Sequence, residues 1–513
     1  MGNDRLPRLP LAAAAGALAG LALPPLGWPW LLWPCLAVLW SLVGGARGRL
    51  AAVIWGWAAV LASHRWLPAL HPLDWIGVPS PLSLPLCLLI WGLCGLLGGA
   101  LVGVWAGLAR RLDPARPSTA LLASGVWGLG EVLLAKGPLF WIGLGAAPLP
   151  GDPWLAGLAA WVGAGGVAAL QVGLGWGLWR WALAWRGRAA GSNGAAAAPG
   201  EAGQAQMGQV GAARRWALLL AGGLAGAHLG GALALAPGGT GRAEALSPAS
   251  AAETVLVVQP AIPTRQKFQP WQQERLGRML AAALVEARPG GATVVLPEGA
   301  LAEGQRLPGP APAEVLSGGF RRAGAELRSA LLRFAPQATT ASGWVDKHRV
   351  VPLGEWVPLA PVLRWSGLSA VGGIEPGDPS RLLRRPGGPI GVAICYEIAD
   401  GRALAAASRA GARWLLASAN LDPYPLSLQG QFQAQARLRA MESGRWLVSA
   451  ANTGPSALVD PAGRVLASLP SGEAATAFFT VPSSERRTPY LVAGERPLLA
   501  LMLGGLALRA TRR

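Results

Sequence analysis

The chain repeatedly runs for about 20 residues with almost no charge, the length an α-helix needs to cross the hydrocarbon layer of a bilayer. No other feature restricts its fold as strongly. These stretches cover roughly 9–25, 29–46, 50–68, 82–109, 118–135, 157–183, 215–236 and 488–508. In lipid the backbone must satisfy its own hydrogen bonds, so they predict an α-helical membrane bundle of about eight transmembrane helices. The first, behind Arg5 and Arg8, could instead be a cleaved signal peptide, which would leave the downstream topology unchanged.

Orientation follows from the arginines. Arg5 and Arg8, Arg47 and Arg49, Arg110, Arg111 and Arg116, Arg180, Arg186, Arg188, Arg214 and Arg215, and Arg509, Arg512 and Arg513 alternate with charge-poor loops. Basic loops stay in the cytoplasm, which predicts cytoplasmic termini and residues 237–487 on the outer side, the periplasm where the cell has an outer membrane. The division expected is 1–236 as a bundle of about seven helices, 237–487 as an extracytoplasmic domain, and 488–513 as a last helix and tail. Residues 187–213, rich in Gly, Ala and Gln, read as a flexible cytoplasmic linker. The net charge of +18 would ordinarily point to nucleic acid, but no basic block is interleaved with aromatics. It reads as membrane topology and affinity for anionic lipid.

Inside the apolar stretches, Gly95, Gly99, Gly103 and Gly107 recur every fourth residue, as do Gly222, Gly226 and Gly230. Small faces let helices approach closely, although a glycine-rich background reads nearly as well. Glu131 is an acid within an apolar span and a candidate functional group, unless it pairs with Lys136 or reaches the interface.

The part between the seventh and eighth stretches alternates strand and helix patterns. Strands are expected at Glu253–Gln259, Thr293–Leu296, Thr339–Val345, Ile390–Cys395, Trp414–Ala419, Trp446–Ala451 and Ala457–Val459, with helices at 271–287, 313–333 and 427–443. This is an α/β layered domain. Pro389–Asp400 reads as a buried strand feeding a turn and the helical stretch from Arg402, which puts Cys395 at the strand end. There a thiol can meet a substrate beside backbone N–H groups suited to an oxyanion. Cys35, Cys87 and Cys94 lie in apolar spans, so Cys395 is the one thiol of the soluble part and no disulfide framework is indicated.

Two further polar residues fall at or just past predicted strand ends, Glu298 and Lys347. Positive charge in this chain is almost all arginine, with only Lys136, Lys267 and Lys347 as lysines, and an amine can do chemistry that a guanidinium cannot. A carboxylate to take the thiol proton and an ammonium to stabilise a tetrahedral oxyanion complete the requirements for covalent catalysis by cysteine. A Cys-His pair would have to use His348. The histidines and the soluble cysteine offer no ligand spacing, so neither a metal nor another cofactor is called for.

Leu-Pro-Glu298, Lys347 followed by Val-Val-Pro-Leu-Gly-Glu355-Trp-Val-Pro, and Ile-Cys395-Tyr-Glu397 resemble the ordered Glu, Lys and Cys motifs of the carbon-nitrogen hydrolase (nitrilase) superfamily. The step from Lys347 to Glu355, the Cys-Tyr-Glu pattern and the domain set before one last span resemble its membrane branch, the bacterial apolipoprotein N-acyltransferases. The resemblance implies a nitrilase-like αββα sandwich on a membrane bundle in the bacterial inner membrane. It implies that Cys395 attacks the sn-1 ester of a phospholipid to give a thioester, which the free amine of a diacylglyceryl-cysteine on an apolipoprotein then discharges. Glu298 would be general base and acid, Lys347 would hold the oxyanion, and Glu355 would orient the lysine and the substrate. Glu397 would shape the pocket or hold turn backbone. Trp356, Leu359, Leu363, Trp365 and Leu368 would suit a flap touching acyl chains, or packing on their own domain.

Two departures from the family pattern concern loops: Leu421-Asp422-Pro-Tyr424 stands where an Asp and an aromatic pair are usual, and the interval from Glu298 to Lys347 is short, as if a hairpin had been trimmed. Rival expectations are a membrane-tethered amidase that uses water as acceptor and a non-catalytic membrane scaffold. Nothing in the sequence requires more than a monomer.

Overall fold

The computed structural model describes residues 8–74, 78–193, 199–236, 252–287, 291–352, 355–356 and 373–511. A helix stands at each predicted apolar stretch: α1 (Arg8–Leu21), α2 (Pro29–Val43), α3 (Gly48–Ser63), α4 (Ser80–Arg111), α5 (Pro117–Leu134), α6 (Ala159–Asn193), α7 (Pro199–Leu235) and, after the soluble domain, α11 (Arg496–Ala510). Eight full spans are not what they give. Among the described residues, four helices are long and apolar enough to cross a membrane, Gly48–Leu70, Ser80–Arg111, Ala159–Arg186 and Gly211–Leu235. The sequence windows ran through chain that breaks helices: Pro24, Pro25 and Gly27 stop α1 at 14 residues, and α2 has 15. At about 1.5 Å per residue such helices fall short of a hydrocarbon layer of about 30 Å. The stretch 187–213, expected as a linker, is helical at 187–193 and 199–213.

One of the two glycine repeats makes a helix contact. A Cβ on Gly99 would lie 2.8 Å from the Val53 carbonyl oxygen and one on Gly103 2.6 Å from Val53 Cγ2, so the repeat lets α4 run close against α3. Gly222 and Gly226 of α7 face open space instead. Glu131 makes no ion pair with Lys136. It is buried and accepts from Trp127 Nε1 at 2.9 Å and Leu144 N at 2.8 Å, tying α5 to the loop that follows.

The soluble domain holds two six-stranded sheets. The first runs β12 (Ala475–Val481), β1 (Glu253–Gln259), β2 (Thr293–Leu296), β3 (Val315–Ala323), β4 (Glu326–Phe334), β5 (Gly343–Asp346). The second runs β11 (Val465–Ser468), β10 (Ala457–Val459), β9 (Leu447–Ala451), β8 (Leu415–Ala419), β7 (Ile390–Ile394), β6 (Leu382–Leu383). Strands β1, β2 and β3 are parallel, as are β7, β8 and β9. The helix expected over 313–333 is the antiparallel pair β3 and β4, joined at Gly324, whose φ of +64° suits the turn. The interval between Glu298 and Lys347 therefore contains a full hairpin.

Side chains alternating along the strands fill two cores. Val255, Val257, Val295 and Leu316 pack between the sheets against Val392, Leu416 and Val448. Leu256, Val258, Val294 and Leu296 face Leu276, Leu280 and Ala283 of α8 (Pro270–Ala287). On the outside of the second sheet lie α9 (Gly401–Arg409) and α10 (Leu426–Ser443), and α10 also packs on α6 of the bundle. An αββα sandwich thus rests on the helices through α10, whose residues are buried on almost every side.

Candidate active site

Parallel strands bring their C-terminal ends to one edge, and the sequence motifs lie there. Glu298 follows β2, Lys347 follows β5, Cys395 follows β7 and Asn420 follows β8. Together with Glu355, Lys267, Thr264, Asp422 and Tyr424 they line a cavity of about 120 Å³. All three residues expected from the motifs are buried, with Lys347 1% exposed.

Lys347 Nζ donates to Glu298 Oε1 at 2.8 Å and to Glu355 Oε1 at 2.7 Å. The second oxygen of each acid is held by backbone: Glu298 Oε2 by Asn420 N at 2.8 Å, Glu355 Oε2 by Val351 N at 2.8 Å. Burial pushes the Glu298 carboxyl up, but the Lys347 ammonium, its hydrogen bond and the Asn420 N–H outweigh it, leaving the group below the ordinary carboxylate range. Burial acts on Glu355 the same way and prevails there, so its carboxyl sits higher than usual. Burial works against the Lys347 charge, yet the two carboxylates keep the ammonium well above its ordinary value.

Cys395 opens the turn after β7 with φ +55°, a conformation that residues other than glycine rarely adopt. Burial, then the negative charge of Glu298, raises its thiol well above the ordinary range, with Lys347 opposing. Burial and the Glu298 charge both favour the protonated thiol.

Glu397 holds that turn. Its Oε2 accepts from Ile394 N at 2.9 Å and its Oε1 from His348 N at 2.7 Å, so one carboxylate ties the Cys395 turn to the residue after Lys347. Arg381 NH1 lies 2.8 Å from both oxygens, and both residues are buried. Of the two readings open for Glu397, the contacts favour the partner of turn backbone. Tyr396 and Tyr424 meet hydroxyl to hydroxyl at 3.1 Å, and the bundle supplies walls beside them, Phe140 against Tyr396 and Trp66 edge-on to Tyr424. The loop Leu421–Tyr424, unusual in sequence, thus packs where domain and bundle meet.

Trp356 is 44% exposed and is not among the residues lining the cavity. Leu359, Leu363, Trp365 and Leu368 lie outside the described residues. His348 donates its backbone N–H to Glu397, and its Nδ1 is 2.8 Å from the Gly377 carbonyl, so it is turned to the loop. Sequence reasoning missed Arg381, Asn420 and the place of Lys267. The scarcity of lysine was a signal for Lys267; Arg381 and the Asn420 N–H act through contacts between strands that no local pattern announces.

Residues 314–490 match the family model described as "Carbon-nitrogen hydrolase", and residues 15–177 match "Apolipoprotein N-acyltransferase N-terminal domain". The apolipoprotein N-acyltransferase of Prochlorococcus marinus strain MIT 9313 is 46% identical, covering 98% of this chain and 96% of its own. That of strain SARG is 43% identical over 95% and 94% of the two chains. Among solved structures, a Saccharomyces cerevisiae member of branch 10 of the nitrilase superfamily is similar at 16% identity, covering 48% of this chain and 94% of its own, with a TM-score of 0.35.

Proposed function

The chain belongs to the apolipoprotein N-acyltransferases, and from that premise we propose that Cys395 carries an acyl group from the sn-1 position of a phospholipid to the N-terminal amine of a diacylglyceryl-cysteine on an apolipoprotein. The protein is an acyltransferase of lipoprotein biosynthesis, and the tethered-amidase and scaffold readings give way to that membership.

Glu298, kept ionised by Lys347, takes the thiol proton as sulfur attacks the ester carbonyl. The Lys347 ammonium, fixed between two carboxylates, meets the charge that develops on the carbonyl oxygen. Collapse breaks the ester bond, Glu298 returns the proton to the departing glycerol oxygen, and a thioester and a lysophospholipid result. The acceptor amine then attacks the thioester, Glu298 takes its proton, and the sulfur leaves as a thiol again. Glu355 and Glu397 orient Lys347 and the Cys395 turn. The observation that carries this reading is the Lys347 ammonium bonded to both Glu298 and Glu355 in the cavity that Cys395 lines.

We place the α/β domain outside the cytoplasm. Arg110 reaches the Gly45 carbonyl and Arg509 the Leu112 carbonyl, which gathers basic residues at one end of the bundle. The domain sits at the other end, where Gln431 contacts Pro24 and Ser63. That separation supports a cytoplasmic basic end and an outer catalytic domain.

Intact-protein mass after incubation with a defined phospholipid tests the mechanism. The expected result is an acyl adduct on the wild type, removed by hydroxylamine, absent from Cys395→Ala and discharged by a diacylated lipopeptide rather than by water. No adduct, with Cys395 alkylating like an ordinary thiol, would overturn it.

A further inference from the structure

Of the 44 basic residues of the chain only three are lysines, and both lysines of the α/β domain line one cavity. Lys347 is neutralised there by two carboxylates. Lys267 is not. Its Nζ donates to the main-chain carbonyl of Glu298 at 2.8 Å and makes no ion pair among the described residues, although it is only 8% exposed. An ammonium has three N–H donors, so a buried one with a single partner is under-satisfied, a costly arrangement unless a ligand completes it.

The position is built. Gly299, at φ +62°, leaves a slot that a Cβ would close, since that atom would stand 2.8 Å from Lys267 Nζ. The loop carrying Lys267 is fixed across the domain. Ile262 N bonds Asn452 Oδ1 at 3.0 Å, Thr264 Oγ1 accepts from Asn420 Nδ2 at 2.9 Å, and the Lys267 carbonyl accepts from Gln273 at 2.6 Å. Asp422, the other acid beside it, spends Oδ2 on Thr264 N at 2.6 Å. Burial lowers the Lys267 ammonium to about 8, against the attraction of Glu298 and Asp422, so an anionic ligand would also secure its charge.

We propose that Lys267 is a substrate-binding residue whose ammonium receives the anionic phosphodiester of the acyl donor. This rests on the phospholipid-donor reading above. The phosphodiester and the sn-1 ester hang on opposite ends of one glycerol, so a cation in the cavity that Cys395 also lines would help fix which ester meets Cys395. Lysine suits the slot beside Gly299 better than arginine, because its ammonium is the more compact charge and the guanidinium would fill the slot less well.

The test is single-turnover thioester formation by the full chain in detergent, with phosphatidylglycerol or with diacylglycerol of the same acyl chains, in wild type, Lys267→Gln and Lys267→Arg. Lys267→Gln should lose about tenfold more rate with phosphatidylglycerol than with diacylglycerol, the scale of one charged hydrogen bond. Lys267→Arg should restore part of that difference, which a purely structural role would not. Equal losses with both donors, or a loss confined to discharge by the amine, would overturn the inference while leaving the thioester reading intact. A wild type that forms a thioester from neither lipid would end both.

Discussion

Lys347 decides the electrostatics of the cavity because, among the described residues, it is the only charge that touches both Glu298 and Glu355. Lys347→Met would leave two buried carboxylates facing one another, a loss of the kind that costs about 3–5 kcal/mol. Buried carboxylates without a cation bind protons readily, so the penalty should be largest at alkaline pH and shrink on acidification. Thermal unfolding of the variant at about pH 5 and pH 8 checks this, and a penalty independent of pH would contradict it. The same charge opposes the rise of the Cys395 thiol, so the variant should also alkylate more slowly than wild type at any given pH. Glu298 makes a separate prediction. Its folded value lies below the ordinary range, so its stabilising ionised form is present above the unfolded value of about 4 and is lost only as pH falls through the lower folded one. Wild-type thioester formation should therefore keep its Glu298-dependent rate down to about pH 5. Glu298→Gln, which cannot accept a proton, should lose about 10²–10⁴-fold at every pH.

Among the elements, the hairpin β3–β4 shows what sequence could and could not give. Val-Val-Leu in β2 and Ile-Gly-Val-Ala-Ile in β7 are apolar runs bounded by turns, and both strands lie where that pattern puts them. Residues 313–333 carry Glu, Leu, Ala and Arg, which favour helix, yet nine-residue pairing between β3 and β4 overrides that preference. Arg and Glu side chains of this stretch form ion pairs such as Arg333–Glu314 at 2.5 Å. The order Glu, Lys, Cys was legible because each lies at a strand end. The Arg381–Glu397 pair was not, because it depends on β6 lying beside β7. Within the hairpin, Gly318 permits the site. A Cβ there would lie 2.3 Å from Glu298 Cα and 2.4 Å from the Pro297 carbonyl. Gly318→Ala should therefore displace Glu298 and cut thioester formation although no ionisable group changes, at an overpacking cost of about 1–3 kcal/mol. Activity at the wild-type level would show that the turn can shift without consequence.

For the whole molecule, the site belongs to domain and bundle together. Arg349, two residues after Lys347, donates to the carbonyls of Ala135 and Gly137 in the bundle. On α10, Glu442 Oε1 accepts from Ala164 N at 2.7 Å, just past the kink that Gly163 makes in α6, and Arg439 beside it holds the Ala399 carbonyl of the nucleophile turn at 2.9 Å. The bundle and the loops between its helices thus brace the domain beside the turn bearing Cys395 and supply walls next to Tyr396 and Tyr424. A severed domain, residues 252–487, would expose the buried polar groups of α10 and lose Phe140 and Trp66 from beside Tyr396 and Tyr424. Its Cys395 should then be wetter and more mobile, so that iodoacetamide alkylates it faster than in the full chain, while thioester formation from micellar phospholipid falls. Burial is the first cause of the raised thiol, and relieving burial moves reactivity toward alkylation and away from a positioned attack. If the severed domain instead formed the thioester at the full-chain rate, the bundle would be a membrane anchor alone and the braces through Arg349, Arg439 and Glu442 would not serve the chemistry.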